Sequence, residues 1–429
     1  MAQDDEPVAA GEEQSKEPTP ISEIDLYHLA WESPEFSKDP FTPLEAARAQ
    51  HPWLARVNGG YVVHDLAAIR DLLVKDDKFR TSFDGIVDIM DAHETAWGRF
   101  AKEQMIALPD KKHAILRAAF AAKFTPRFAN QLRPIMSATM STLLDEWVPK
   151  GRIDFEEFAS YYPVAVMTRM IGASLDEIPV LRSAMETLGL AFSQNRDLLP
   201  ELDEAMAQFD EFSFRLIADR RANPRADQEP DLLDLLIKAG ESDDITERQQ
   251  ADMLIFLFVA GYDTSKNVLA YTMNTLLGYP EVYRRCAEDL NYCGRVIEEA
   301  LRMFTPASPF RATKEDIVYR GVLIPKETMV FFTTNVAGRI SADIADPHSF
   351  DPERPIDPKL RHVGFGLGKH MCLGQHIARA QLAEGLHLIA QRIRNPRAAG
   401  EPGWRPFPGT WGIQGLPIEF DPPDPVPAE

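Results

Sequence analysis

Cys372 sits in the run Phe365-Gly366-Leu367-Gly368-Lys369-His370-Met371-Cys372-Leu373-Gly374, with an amphipathic helix pattern directly after it. A cysteine thiolate that ligates iron needs backbone N–H groups free to donate to sulfur and small residues where a flat macrocycle approaches. It also gains from a helix N-terminus aimed at the negative charge. Gly368 and Gly374 supply the small positions, the helix starting near Leu373 supplies the dipole, and Phe365 can keep water off the sulfur. Such a thiolate can serve as an axial ligand of haem iron. Two other readings stand beside this one. Cys372 can be a small buried core residue, or Cys372 and His370 can form a thiol–imidazole nucleophile pair, although no orienting Asn or Asp motif accompanies them.

A second chemical pattern lies at Ala260-Gly261-Tyr262-Asp263-Thr264, in the middle of a long helix pattern. A carboxylate and a hydroxyl after an apolar run are costly in a core unless paired. Gly261 costs up to about 1 kcal/mol relative to alanine in a helix interior. It leaves a groove where small molecules can approach the backbone. The competing reading is a helix turning from buried to solvated, with Asp263 exposed. Glu299-Ala300-Leu301-Arg302 places an acid and a base at i and i+3, a pairing that carries little weight alone.

Together these segments resemble the cytochrome P-450 monooxygenases, in particular soluble bacterial members that hydroxylate terpenes such as camphor. The cysteine run is similar to their haem-thiolate signature, and Ala260 to Thr264 to their oxygen-binding pattern. The resemblance implies a mainly α fold with a small β-sheet region and a haem b cofactor (iron protoporphyrin IX) held by Cys372. It implies that Thr264 hydrogen-bonds dioxygen at the iron and that Asp263 relays protons. Ala260 and Gly261 would face the cofactor. His113, Arg117, Arg311, His362 and His370 would meet its propionates, because guanidinium and imidazole groups bind carboxylates well. Glu299, Arg302 and Arg354 would support the haem loop. Ile86, Val87, Met90, Phe192, Phe256, Val259, Phe310 and Trp411 would line the substrate pocket and suit an apolar substrate: a terpenoid, steroid or aromatic hydrocarbon. Electrons would come from a separate ferredoxin, of the [2Fe-2S] kind, and its NAD(P)H-dependent reductase, with no flavin domain in the chain. Lys111, Lys112, Arg117, Lys369 and Arg379 form a locally basic set, implied to share the thiolate side of the haem and to dock the donor. The other hypotheses are a haem protein that carries electrons or senses gas, and a peroxide-driven enzyme. Asp263 and Thr264 argue against both, since neither needs a proton relay.

The elements that must position these residues follow from hydrophobic period. Helical spacing covers residues 43–50, 66–75, 111–122, 128–148, 161–171, 198–222, 231–239 and 246–277. The last of these starts at Thr246 and Gln249, at capping-box spacing, and ends before Gly278 and Pro280. Its length of roughly 48 Å would cross a whole domain. Strand signals appear at residues 61–63, 317–319 and 328–332. The motifs span the chain and need a shared site, so residues 21–420 are read as one domain. The acidic segment 1–20 and the Pro-rich segment 421–429 are read as disordered tails.

Composition bounds the function. The 429 residues carry a net charge of -20 and are 45% hydrophobic, which disfavours nucleic acid and anionic membranes as partners. Three cysteines, Cys286, Cys293 and Cys372, make no disulfide framework and fit a reducing cytoplasm. Cys286 and Cys293 are read as structural thiols on helices. The longest apolar run is too short to span a bilayer. The expectation is a cytoplasmic, monomeric protein with no membrane anchor.

Overall fold

The computed structural model describes residues 17–225, 229–241, 245–355, 357–358 and 360–421. Helices dominate, and two of them cross at the centre of the molecule. The first is Glu247–Leu276, hereafter the central helix. The Thr246 hydroxyl accepts from the Gln249 N–H and the Gln249 amide oxygen accepts from the Thr246 N–H, so the capping box read from the sequence is present. Its 30 residues make a rod of about 45 Å. The second is Gln375–Arg392, hereafter the cysteine helix, which begins three residues after Cys372. The central helix packs most extensively on Phe155–Ile171, and the cysteine helix on Pro126–Trp147 and Leu290–Met303. Phe155, Phe158, Phe258, Met140 and Leu386 are all buried in the core between them. Cys286 and Cys293 are buried as well.

A five-stranded sheet flanks the helical body. Its order is Leu54–Val57, Gly60–Val63, Met329–Phe332, Phe310–Thr313 and Phe79–Arg80. Val62 pairs with Phe331 in parallel, and Phe310 pairs with Phe331 in antiparallel register. Side chains alternate in the expected period of two: Phe331 joins the main core, while Val330 and Phe332 join a smaller core with Leu54 and Val63. This sheet carries Arg311 to the site from a strand the sequence reading did not single out. The helices Phe83–Met90, Ala96–Glu103 and Ile178–Leu188 were also unread, being short and interrupted.

Thr19 and Pro20 pair in parallel with Val322 and Leu323, inside the stretch expected to be a disordered tail. Asp421 completes the strand Pro417–Asp421. Edge pairing uses backbone groups, which acidic or Pro-rich composition does not reveal. Residues 1–16 and 422–429 of the expected tails lie outside the described residues. Among the described residues, no helix is long and apolar enough to cross a membrane.

Candidate active site

The loop that delivers Cys372 is built by backbone constraints. Gly368 has φ +71, and a Cβ there would lie 2.6 Å from an Asp76 carboxylate oxygen, which also accepts from the Lys369 N–H at 2.8 Å. The Cys372 N–H donates to the Phe365 carbonyl at 2.8 Å, closing the loop under the aromatic ring. Cys372 is exposed, and it lines a cavity. Burial pushes its pKa up, while N–H groups of Gly374 and Gln375 and the charges of Arg117 and Arg379 pull it down. These are the donors and dipole that a thiolate needs.

The cavity has a volume of about 460 Å³. Cys372, Phe365 and Gly374 lie on one wall and Ala260, Gly261 and Thr264 of the central helix on another. Ile86, Phe192, Phe256, Val259 and Phe310 also line it, as expected from the sequence. Leu188 and Phe407 line it too, and so does Met167, which was not singled out. Three expected lining residues sit elsewhere. Val87 and Met90 point into the core behind their helix, and Trp411 is buried behind Phe407 with its indole N–H on the Ser37 carbonyl at 2.8 Å. Gly261 has a packing role as well as a cavity face, since a Cβ there would lie 2.5 Å from Met167 Cε.

Arg117, Arg311, His113 and His370 gather at one side of the cavity. Arg311 is drawn from its usual range down to about 10 by burial, and its guanidinium donates to the Phe310 carbonyl at 2.7 Å. His370 is drawn down to about 3, first by burial and then by Arg311 and His113. The two imidazoles lie 4.7 Å apart, and His113 Nε2 and His370 Nδ1 are buried with no hydrogen-bond partner. Arg117 reaches the Met371 carbonyl at 2.6 Å and lines the same cavity. Buried donors left unpaired beside a buried guanidinium call for an acidic guest. A haem fits this demand: its propionates would meet Arg117, Arg311, His113 and His370, and its iron the Cys372 sulfur. His362 does not join this group. Its Nδ1 accepts from the Gly364 N–H at 3.2 Å, so the proton on Nε2 faces Glu298 at 3.2 Å.

The acid–alcohol pair divides between two environments. Thr264 lines the cavity and donates to the Ala260 carbonyl at 2.8 Å. Asp263 is buried on the opposite side and faces away from it. Its Oδ1 accepts from Arg405 at 2.6 Å and Asn267 at 3.2 Å, with Lys266 Nζ at 3.3 Å. Exposure of Asp263 to solvent, the competing expectation, is not what the structure shows. Lys266 could have been noticed three residues after Asp263; Arg405, distant in sequence, left no local signal.

Glu299 and Arg302 form a buried bidentate pair, with both contacts at 2.8 Å. The Arg302 fork also donates to the carbonyls of Gly338, Pro347 and Ser349. Arg354 approaches Glu299 at 3.4 Å and shares the Ser349 carbonyl.

A cysteine loop and a grooved central helix lining one cavity with a cationic edge would suit a haem. Residues 60–395 match the cytochrome P450 family, and the chain belongs to that family of oxidoreductases. It is 30% identical over 408 residues to luteothin monooxygenase of Streptomyces thioluteus, covering 94% of this chain and 98% of that protein. It is 28% identical over 409 residues to the biotin biosynthesis cytochrome P450 of Bacillus subtilis, covering 91% and 98%. Among solved structures it is similar to a myxobacterial cytochrome P450 in complex with myristic acid, with TM-score 0.80 and 26% identity over 90% of this chain and 98% of that one. Its fold also matches P450BioI in complex with an acyl carrier protein bearing hexadec-9Z-enoic acid. That match has TM-score 0.81 and 24% identity over 90% of this chain and 100% of that one.

Proposed function

We propose that this chain inserts one atom of dioxygen into an apolar small molecule bound in the cavity beside Cys372. The observation that carries this reading is the Cys372 sulfur, supported by two backbone N–H groups and opening into the cavity opposite Thr264. Haem b bound there supplies dioxygen binding and one-electron chemistry. The chain's own residues do the rest. Cys372 would be the iron ligand, with the N–H groups of Gly374 and Gln375 favouring charge on its sulfur. Arg117, Arg311, His113 and His370 would orient the cofactor's acid groups. Thr264 offers a hydroxyl at the cavity wall, and Asp263 supplies protons to it from the far side of the central helix. The apolar wall of Ile86, Phe192, Phe256, Val259 and Phe310 orients substrate and excludes water. Thr305 Oγ1 and Ser308 Oγ are buried and unpaired on the same wall, so a substrate oxygen or nitrogen can be held there. Terpenoids, steroids and aromatic hydrocarbons suit this lining. Two structural neighbours are complexes with fatty-acyl ligands, so acyl chains belong in the same trial. Electrons come from a separate ferredoxin, of the [2Fe-2S] kind, and its NAD(P)H-dependent reductase.

The test is spectroscopic. Ferrous protein with carbon monoxide should show the strongly red-shifted Soret band of thiolate-ligated haem. Cys372→His should lose the band, and Cys286→Ala and Cys293→Ala should keep it. A red-shifted band that survives in Cys372→Ala would overturn the assignment. A binding screen that watches for displacement of iron-bound water would then select the substrate class.

A further inference from the structure

Behind the central helix, a buried cluster holds more acids than bases. Lys266 is completely buried, and its Nζ lies 2.6 Å from Glu156, 2.9 Å from Glu186 and 3.3 Å from Asp263. Arg405 is also buried and divides itself between two of the same acids, at 2.6 Å from Asp263 and 3.5 Å from Glu186. Tyr262 donates its hydroxyl to Glu186. Four separate segments meet here: Glu156 from Phe155–Ile171, Glu186 from Ile178–Leu188, Tyr262, Asp263 and Lys266 from the central helix, and Arg405 after the strand Gly403–Trp404. Asp263 and Glu186 therefore compete for the same two cations.

Three details show that this arrangement is built around Asp263. Its Oδ2 is buried and unpaired, and so are Nε and NH2 of Arg405. Gly189 leaves room for both groups, since a Cβ there would lie 2.2 Å from Asp263 Oδ2 and 2.6 Å from Arg405 NH2. The helix carrying Glu186 ends at Leu188, which lines the cavity, as Ala191 and Phe192 do just beyond. A carboxylate clamped by two cations is a poor proton donor to a hydroxyl on the other face of its helix. To serve Thr264 it must leave Arg405, and a buried guanidinium cannot be left without an acid.

We propose that Glu186 is a positioning residue for proton delivery: it is the alternative acceptor onto which Arg405 and Lys266 transfer when the Asp263 carboxylate turns toward Thr264. This rests on the reading of Asp263 as the proton-supplying acid. Because Glu186 rides on a helix whose end touches the cavity, occupancy of the cavity can bias the exchange.

The experiment needs no identified substrate. NAD(P)H-driven turnover with a surrogate ferredoxin and reductase consumes dioxygen, which leaves as hydrogen peroxide after two electrons and two protons or as two waters after four of each. Starved of protons at the right place, the enzyme should release more peroxide. Glu186→Gln leaves both cations to Asp263 and Glu156, so its peroxide share should rise at least about twofold. Glu186→Asp should recover most of the wild-type partition. Glu186→Gln should add nothing in an Asp263→Asn background. Thermal midpoint and the ferrous–carbon monoxide spectrum, followed in parallel, should stay near wild type in Glu186→Asp. If Asp263→Asn shifts the partition and Glu186→Gln does not, or if the two effects simply add, the role of Glu186 is wrong while that of Asp263 stands. If Asp263→Asn leaves the partition unchanged, both fall together.

Discussion

A single titratable ring shows how burial translates into pH dependence. His64 is completely buried at the end of the strand Gly60–Val63. Burial draws its pKa down to about 4, against a smaller opposing effect from the Leu54 carbonyl. The folded protein therefore keeps His64 neutral in a range where the unfolded chain takes up a proton. No stability is lost above pH 6.5; it falls as pH drops from about 6.5 toward 4, by roughly 2 kcal/mol at pH 5. Urea unfolding at pH 7 and pH 5 should show that decline in the wild type and a smaller one in His64→Leu. Equal declines in the two proteins would show that other groups carry the acid sensitivity. At the same scale, the chemistry of Cys372 and Thr264 could be read from residue type and spacing. The direction in which Asp263 points could not, because Arg405 turns it and lies far away in sequence.

Among the elements, the helix Leu290–Met303 has the most exacting connection to the irregular chain between Gly338 and Ser349. Arg302 uses its planar fork on one carboxylate and three carbonyls at once. Lysine has the charge but not the fork. Arg302→Lys should therefore lose about 3–5 kcal/mol, the usual cost of breaking a buried pair, and lose haem with it. The haem content of purified protein and its thermal midpoint would report this. Stable, fully haem-loaded Arg302→Lys protein would show that the pair is dispensable. In sequence the helix was marked only by the Glu299 and Arg302 pair at i and i+3. The carbonyls that receive Arg302 were not, because Gly338, Pro347 and Ser349 carry no side-chain sign of that role.

Across the whole molecule, a net charge of -20 leaves few places for an acidic electron donor to dock. The basic set around the cysteine loop is only partly free. Arg379 is engaged by Glu298, which also meets His362 and whose own pKa is held down to about 2. Charge reversal at Arg379 would thus test loop integrity rather than docking. Lys369 lies on the cysteine loop, and its ammonium meets the exposed Asp110 at 2.6 Å. Lys369→Glu should slow reduction by the native ferredoxin at low ionic strength and leave substrate affinity intact. The difference should shrink as salt rises, because the effect acts mainly on association. Wild-type reduction rates in that variant at low salt would move the docking site elsewhere.

By itself, the sequence determined the family, and it marked Cys372, Asp263 and Thr264 as candidates and the cap that starts the long helix. Each is encoded within about ten residues, where spacing on a helix or loop is spacing in space. The mainly helical class was legible for the same reason, since period and capping are local. Only the tertiary structure decided which cations meet in the cavity, which expected lining residues turn into the core, and how Asp263 is held. Arg311 arrives on a strand paired with Met329–Phe332, Glu186 on a helix packed across the central one, and Arg405 from near the chain's end. Those placements depend on long-range packing and strand register, which no local pattern of residues encodes.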